Sequence, residues 1–264
     1  MTYETVKWEE DGGVGRIVLD RPETLNAWTE QFGHELHQVI AERAASPAVR
    51  AVLVTGAGRA FSSGADLKAG FSAHPDDGLP DVGRELTEVY HPVILGLREL
   101  AKPVVAAVNG PAVGIGCSLA LACDIVLAAE SAYLNLAFVN IGLMPDGGST
   151  AFVPAALGKA RSFQMALLGE RIGAAQALDW GLVNAVHPDG ELLDAAEALA
   201  ARFAAGPTQA YAATKQALNQ ALYPGIEEQL ELEAGLQHRL ARTRDFAEGV
   251  DAFADKRPPA FTGA

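Results

Sequence analysis

Cysteine is almost absent from this chain. Only Cys117 and Cys123 occur among 264 residues, and both fall in one apolar stretch. Their spacing fits no zinc pattern, so no metal site is expected. The two thiols read as small core residues of a cytoplasmic protein rather than as a disulfide framework. Basic residues are scarce too: 20 Lys and Arg face 33 Asp and Glu, a net charge of −13. Binding a phosphate backbone takes a basic surface, so nucleic acid is not an expected partner, although a small anionic ligand needs only a few local donors. No apolar run is long enough to span a bilayer, and the opening MTYETVKWEE carries no apolar signal core, so no membrane partner is expected. Low-complexity tracts are missing as well. What remains is 49% hydrophobic but only 7% aromatic, enough to bury a large aliphatic core.

The most informative stretch runs from Lys102 to Asp124, KPVVAAVNGPAVGIGCSLALACD. Val104–Val108 reads as a buried β-branched strand. Asn109-Gly110-Pro111 breaks it, Gly114-Ile115-Gly116 follows, and from Cys117 small apolar residues suit a buried helix. A strand, a glycine turn and a helix start present backbone N–H groups at the positive end of a helix dipole. Such a corner can hold an anion or a developing oxyanion without a charged side chain. A dinucleotide-binding loop fits poorly, because Leu119 stands where the third glycine belongs and Glu130 comes too early for a ribose contact. A plain tight turn between buried elements stays open on local pattern alone.

Around this stretch the chain alternates strands and helices, then turns helical. Thr5–Trp8 and Gly15–Asp20 flank Asp11-Gly12-Gly13 and read as a hairpin. Thr29 can cap a helix to about Ala45, with Phe32, Leu36, Val39 and Ile40 at helical spacing. Val49–Thr55 reads as a strand that runs into a loop of small residues, Arg59–Leu67. Lys68 to Val82 lacks periodicity and is expected to be a mobile loop. Val82–Leu100 reads as an amphipathic helix, and Ile125–Ala129, Ala132–Phe138 and Leu182–Val186 as strands. Ile141–Thr150 is a third glycine-containing turn, feeding a helix to about Leu157. Ala160–Leu168, Ala174–Trp180 and Leu192–Ala204 follow as helices, and from Pro207 the chain is expected to be helical. There Ile226, Leu230, Leu232 and Leu236 are too apolar for a solvated helix, so this layer should cover a neighbouring domain or subunit.

Three loops carry a resemblance to a known family. AFSSGADLK (Ala60–Lys68), KPVVAAVNGPAVGIGCSLALACDIVLAAESA (Lys102–Ala132) and IGLMPDGGST (Ile141–Thr150), supported by RIGAAQALDWGLVNAV (Arg171–Val186), resemble the enoyl-CoA hydratase/isomerase, or crotonase, superfamily. The resemblance implies an α/β fold: a ββα spiral core that binds acyl-CoA, here residues 1–205, and a helical C-terminal trimerisation and lid region, residues 206–264. It implies an acyl-CoA thioester substrate, with coenzyme A bound only as part of it, and a homotrimer or dimer of trimers. Matched by motif, the backbone N–H groups of Ala65 and Ile115 would grip the thioester carbonyl. Thr24, Leu25 and Ala27, together with Ser63, Ala65, Asp66 and Leu67, would lie along coenzyme A. Phe253 and Lys256 would reach the coenzyme A of a neighbouring subunit.

The chemistry is narrowed by two departures from the family pattern. Its hydratases carry two glutamates, and here the matching positions hold Ser118 and Phe138. Hydration needs one carboxylate to activate water and one to deliver a proton, and this pair supplies neither. Asp146, in MPDGG, is the carboxylate left at a position the superfamily uses. One base suffices for a 1,3-proton shift, so the expected activity is double-bond migration in an enoyl-CoA, as in Δ3,Δ2-enoyl-CoA isomerases and ring isomerases of phenylacetate breakdown. An atypical hydratase and a catalytically silent acyl-CoA binder are the alternatives. Asp146 could also simply cap the helix that follows it. Two further acids crowding it would tell against a lone base. Asp66 and Asp124 are expected to be structural, Ser118 to be a packing residue, and His34 and His37 to lie on a solvated face. Glu88, Tyr90 and His91 should lie near the acyl pocket.

Overall fold

Gly12 and Gly13, both at positive φ (54° and 80°), turn β1 (Val6–Asp11) back on β2 (Val14–Leu19) as an antiparallel hairpin. The computed structural model describes residues 3–264. After β2 the chain adds helix α1 (Glu30–Gln38), which the Thr29 hydroxyl caps by accepting from the Phe32 amide and which runs on through a π-helical stretch to Ala44. Strand β3 (Ala51–Gly56) then lies parallel to β2. The long helix expected over 82–100 is present as α2 (Val82–Glu85), a π-helical turn (Leu86–Tyr90) and α3 (His91–Glu99). β4 (Val104–Val108) and β5 (Ala112–Val113) follow, then α4 (Ile115–Ala122), β6 (Ile125–Ala129) and β7 (Tyr133–Asn135).

The remaining elements are α5 (Ser149–Leu168), β8 (Ile172–Gly173), α6 (Ala174–Trp180), β9 (Ala185–His187), α7 (Leu192–Ala204), α8 (Thr208–Leu222), α9 (Ile226–Leu240) and α10 (Arg244–Asp255). Gly158, at φ 66° and ψ −179°, breaks α5 between the two segments expected there. Among the described residues no helix is long and apolar enough to cross a membrane.

The strands form two layers. One sheet has the order β1-β2-β3-β4-β6-β9, parallel from β2 onward, and the other the order β5-β7-β8. Isolated parallel bridges extend the second layer backwards, joining Trp28 to Ala65 and Ser62 to Ala112. Each pass of the chain therefore lays a strand in the first layer, a short extended piece in the second, and then a helix. Successive passes use β2 with Trp28, β3 with residues 62–65, β4 with β5, and β6 with β7. This is the strand–strand–helix spiral that the resemblance implies. Strands β3, β4 and β6 at the centre of the first layer are buried on both faces along nearly their whole length, as parallel strands covered by helices are, which explains their Val, Ile, Leu and Ala runs, whereas the edge strands β1 and β9 are partly exposed.

Several ends differ from the sequence expectation. Helix α4 begins at Ile115, not Cys117, because Gly114 takes φ 55° and ψ −128°, which suits a residue without a Cβ, and starts the helix there. The strand expected over 132–138 stops at Asn135, after which Ala137 enters the left-handed region (φ 56°) and Phe138–Ile141 form a 3-10 turn. The 68–82 segment carries turns and an Ala73–Pro80 bridge. In the C-terminal layer Leu230, Glu233, Ala234 and Gln237 of α9 are buried within the chain, and Leu232, one of the residues expected to cover a neighbouring domain or subunit, is 53% exposed.

Gly116 fixes the approach of α4 to the second layer. A Cβ there would sit 2.6 Å from the Ser62 Cβ and 2.8 Å from the Ser62 carbonyl oxygen, a backbone atom that cannot swing aside. Gly116→Ala is expected to cost about 1–3 kcal/mol of stability through overpacking, measured by denaturant unfolding.

Candidate active site

Ser62 and Ala112 are register partners in successive passes of the spiral. Ala65 and Ile115 each lie three residues beyond those partners, so the spiral itself brings them to one place. The pairing with Trp28 is made by its neighbours: the Trp28 amide donates to the Gly64 carbonyl, and the Asp66 amide to the Trp28 carbonyl, both at 2.8 Å. The Ala65 N–H is left over. The Ile115 N–H stands in the first turn of α4, where no carbonyl four residues back can receive it. Among the described residues neither amide donates to a backbone carbonyl. Close approach is possible because Gly64, at φ 91°, lies against the Val113 carbonyl, where a Cβ would come within 2.9 Å.

Ala65 and Ile115 line a cavity of about 200 Å³ together with Asp146. Its walls are mostly apolar: Leu67, Phe71, Val82, Leu86, Tyr90, Val113, Leu136, Phe138 and Leu143 contribute, and Phe253 stands at 56% exposure on its rim. Asp146 is the one carboxylate on that wall. It is 3% exposed, its Oδ2 accepts from the Gln237 side-chain amide at 2.7 Å, and its Oδ1 is buried without a partner. Burial pushes its carboxyl well above the usual carboxylate range; negative charge on Glu233 and Glu85 adds to this, and the Gln237 hydrogen bond opposes it. Oxygen acceptors held near the two spare amides would be stabilised as they gain charge, and a carboxylate with a bare oxygen beside them can exchange a proton.

Helix capping does not account for Asp146. The residue before α5 is Gly148, and no side chain of the 146–148 loop caps the helix. Glu233 of α9 does so instead, accepting from the Gly148 amide at 2.8 Å, the Thr150 amide at 3.1 Å and the Thr150 hydroxyl. Ser118 is a packing residue in that its hydroxyl donates to the Asp146 carbonyl at 2.7 Å, and it is absent from the cavity wall. Phe138 occupies that wall as an apolar side chain.

Two acids do press on Asp146, yet neither reaches the cavity wall. Glu233 is occupied as a cap, and Glu85 accepts from the Tyr90 hydroxyl at 2.9 Å. Burial, the largest cause for each, raises both to about 7. Glu85, Glu233 and Gln237 were missed in the sequence. Glu88 was chosen near the pocket, but it is exposed and paired with Arg84 at 2.8 Å, while Glu85 is the inward acid of that helix. A signal existed for α9: residues 230, 233, 234 and 237 form one stripe at helical spacing, and two of the four are polar. Tyr90 lines the cavity as expected; His91 is buried off the wall, and burial lowers it to about 4.

Of the remaining residues named from the sequence, Ser63, Leu67 and Phe253 line the cavity, whereas Thr24, Leu25, Ala27, Asp66 and Lys256 do not. Thr24 and Leu25 are zipped to the same loop from outside: the Ser63 amide donates to the Leu25 carbonyl at 2.9 Å, and the Ser63 hydroxyl to the Thr24 carbonyl. Asp66 is held in a 3.2 Å ion pair with Arg21 and accepts from the Lys68 and Ala69 amides, a structural role. Phe253 stands on the rim of the cavity of its own chain, where Gly249 and Asp245 of α10 pack against Ile141 and Gly142. Lys256 sits exposed, at positive φ, just after α10. Asp124 ties β4 to α8 and α3, accepting from the Val104 amide and pairing with Lys215 at 2.8 Å and Arg98 at 3.3 Å. His34 and His37 are exposed, and among the described residues no three side chains form a metal-binding group.

An acid raised by burial opposes folding at any pH above its unfolded value, near about 4, and the opposition grows until the pH passes the folded value. Asp146→Asn is therefore expected to gain stability over the parent protein as pH rises from 5 to 8, read from thermal melts. A gain that shrinks over that range would contradict the raised carboxyl.

Comparison with known proteins bears on the fold and the family. The family model described as enoyl-CoA hydratase/isomerase matches residues 9–264. A Rhodobacter capsulatus protein named probable enoyl-CoA hydratase is 45% identical over 263 residues, covering all of both chains. The 1,2-epoxyphenylacetyl-CoA isomerase of Escherichia coli is 41% identical over 251 residues, 95% of each chain. The crystal structure of an enoyl-CoA hydratase from Mycobacterium avium subsp. paratuberculosis superposes with a TM-score of 0.89 at 40% identity, covering 99% of this chain and 100% of that one. Sequence motifs, spiral fold and matched length together make this chain a member of the enoyl-CoA hydratase/isomerase family, with the crotonase fold.

Proposed function

We propose that this enzyme moves a carbon–carbon double bond in an enoyl-CoA thioester, with Asp146 as the single acid/base. The observation that carries the reading is that one carboxylate, with one bare oxygen, lines the cavity that also holds the unbonded amides of Ala65 and Ile115. Ionised Asp146 takes a proton from the carbon next to the thioester carbonyl of a 3-enoyl-CoA. The electron pair spreads onto the carbonyl oxygen, and the dienolate is stabilised by the two N–H donors, each worth roughly 3–4 kcal/mol in comparable sites. The carboxyl then returns the same proton to the γ-carbon, and the double bond comes to rest beside the carbonyl. No water is consumed, which suits a site whose two hydratase glutamate positions hold Phe138, on the cavity wall, and Ser118, behind it.

The Escherichia coli relative, by its name, isomerises 1,2-epoxyphenylacetyl-CoA. Phe71, Tyr90, Phe138 and Phe253 give this cavity flat aromatic walls, so an aromatic-derived acyl group is a second substrate class for the same apparatus.

Asp146→Asn is expected to slow conversion of 3-hexenoyl-CoA by roughly 10²–10⁴-fold while still binding the thioester. Full activity in that variant would remove Asp146 as the base. Crotonyl-CoA hydration faster than isomerisation by the parent protein would favour a hydratase, and affinity without turnover a silent binder. Because the ionised form is the base and its carboxyl is raised, kcat/KM should fall as pH drops through a value well above the ordinary carboxylate range. A profile flat down to pH 4.5 would contradict this.

The assembly expected from the family is a homotrimer or dimer of trimers. The exposed apolar side chains Phe163, Leu167 and Leu168 near the end of α5, at 59%, 64% and 54% exposure, support a covered face there. Light scattering should return three or six times the 27.6 kDa chain mass; a monomer would contradict the reading.

A further inference from the structure

Helix α9 sends two fully buried polar side chains, one helical turn apart, into the loop that carries Asp146. Glu233 and Gln237 are both 0% exposed. Gln237 is saturated: its Oε1 accepts from the Met144 amide at 3.3 Å, and its Nε2 donates to the Met144 carbonyl and to Asp146 Oδ2, each at 2.7 Å. Glu233 holds the other end of the loop at Gly148 and Thr150. Gln229, one turn earlier, donates to the Thr150 hydroxyl at 2.7 Å. The loop is thus clamped at 144, 146, 148 and 150 by one face of a helix from the C-terminal layer.

We propose that Gln237 is the positioning residue for Asp146, taking Oδ2 with its amide so that Oδ1 alone is left for substrate, and that Glu233, one turn away on the same helix face, opposes it as a nearby acid. The proposal deepens the isomerase reading and rests on Asp146 being the acid/base. Its physical content is a balance. A donor on a carboxylate favours the ionised form, and a nearby carboxylate disfavours it. The other acid that acts on Asp146 is Glu85 of α2, whose charge adds to that of Glu233 and whose carboxylate accepts from Tyr90, a hydroxyl that burial keeps neutral. Because these acids interact, the measured values belong to the cluster rather than to one residue. The signs remain assigned: α9 carries one residue that promotes the base form and one that suppresses it.

The test uses Gln237→Met, Gln237→Glu and Glu233→Gln in the full-length protein. Gln237→Glu conserves length and the acceptor for the Met144 amide and sets a second carboxyl against Asp146, so the pair shares a proton and its upper titration step rises; it carries the test if Gln237→Met fails to fold. Both Gln237 variants should lower kcat for 3-hexenoyl-CoA by about 10- to 100-fold, the worth of one hydrogen bond to a charged group. KM should stay within about twofold. They should also move the acid limb of the pH profile upward, and Glu233→Gln should move it downward. The opposed shifts are what a merely structural role would not produce. Titration of the Asp146 carboxyl by carbon-13 NMR in substrate-free protein gives the same two directions without any turnover, so it stands even if the isomerase reading fails. A folded Gln237 variant with unchanged carboxyl titration, or all three variants moving it the same way, would overturn the proposal.

Discussion

The parallel pairing of Ser62 with Ala112 is the constraint on which the candidate site depends. It fixes the register of two successive passes of the spiral, and the loops beyond the pair inherit that register. Ala65 and Ile115 are far apart in sequence but stand at the same offset from it, so their amides reach one cavity without any side chain to steer them. Each is left unbonded for its own local reason. Ala65 is the residue whose neighbours make the bridge to Trp28, and Ile115 opens a helix. Glycines 64, 114 and 116 let the two backbones come this close, and a side chain at 64 or 116 would collide with the facing chain.

A buried acid is costly, and this structure holds one on the wall of a mostly apolar cavity with one oxygen left without a partner. Three layers cooperate in that. The 144–150 loop brings Asp146 to the cavity between two glycines and a proline, the spiral core supplies Ser118 to bind its carbonyl, and α9 supplies the donor to its carboxylate. The C-terminal layer is therefore part of the candidate site and not merely a cover. Its α10 reaches the same wall through Phe253, packed against the 138–142 turn of its own chain. Groups that cost stability and are nevertheless held in place are concentrated where chemistry is done.

Much of this was legible in the sequence where the information is local. The strand runs, the Thr29 cap, the glycine turn at 12–13 and the break near Gly158 all follow from propensity and turn chemistry. The family resemblance carried by the three loops, and not local pattern alone, pointed to Ala65, Ile115 and Asp146 as a group. What escaped was set by tertiary contact. Gly114 starts α4 two residues early through a positive φ that no periodicity announces. Within the 82–99 helix the buried acid is Glu85, one turn before the buried Val89, and Glu88 lies on the exposed face. In α9 the apolar density marks a helix that covers something; Leu232 is exposed in the single chain, and the positions buried within it include Glu233 and Gln237. Those two look like surface residues by type, and only the loop they clamp explains their burial.

The account stands or falls on where a thioester sits. A crystal structure with a non-reacting acyl-CoA analogue bound in the cavity tests it directly. The carbonyl oxygen should lie within hydrogen-bond distance of both the Ala65 and Ile115 amides, with Asp146 Oδ1 at roughly 3–3.5 Å from both the α- and the γ-carbon. A carbonyl bound elsewhere, or an acyl chain whose α-carbon faces away from Asp146, would contradict it.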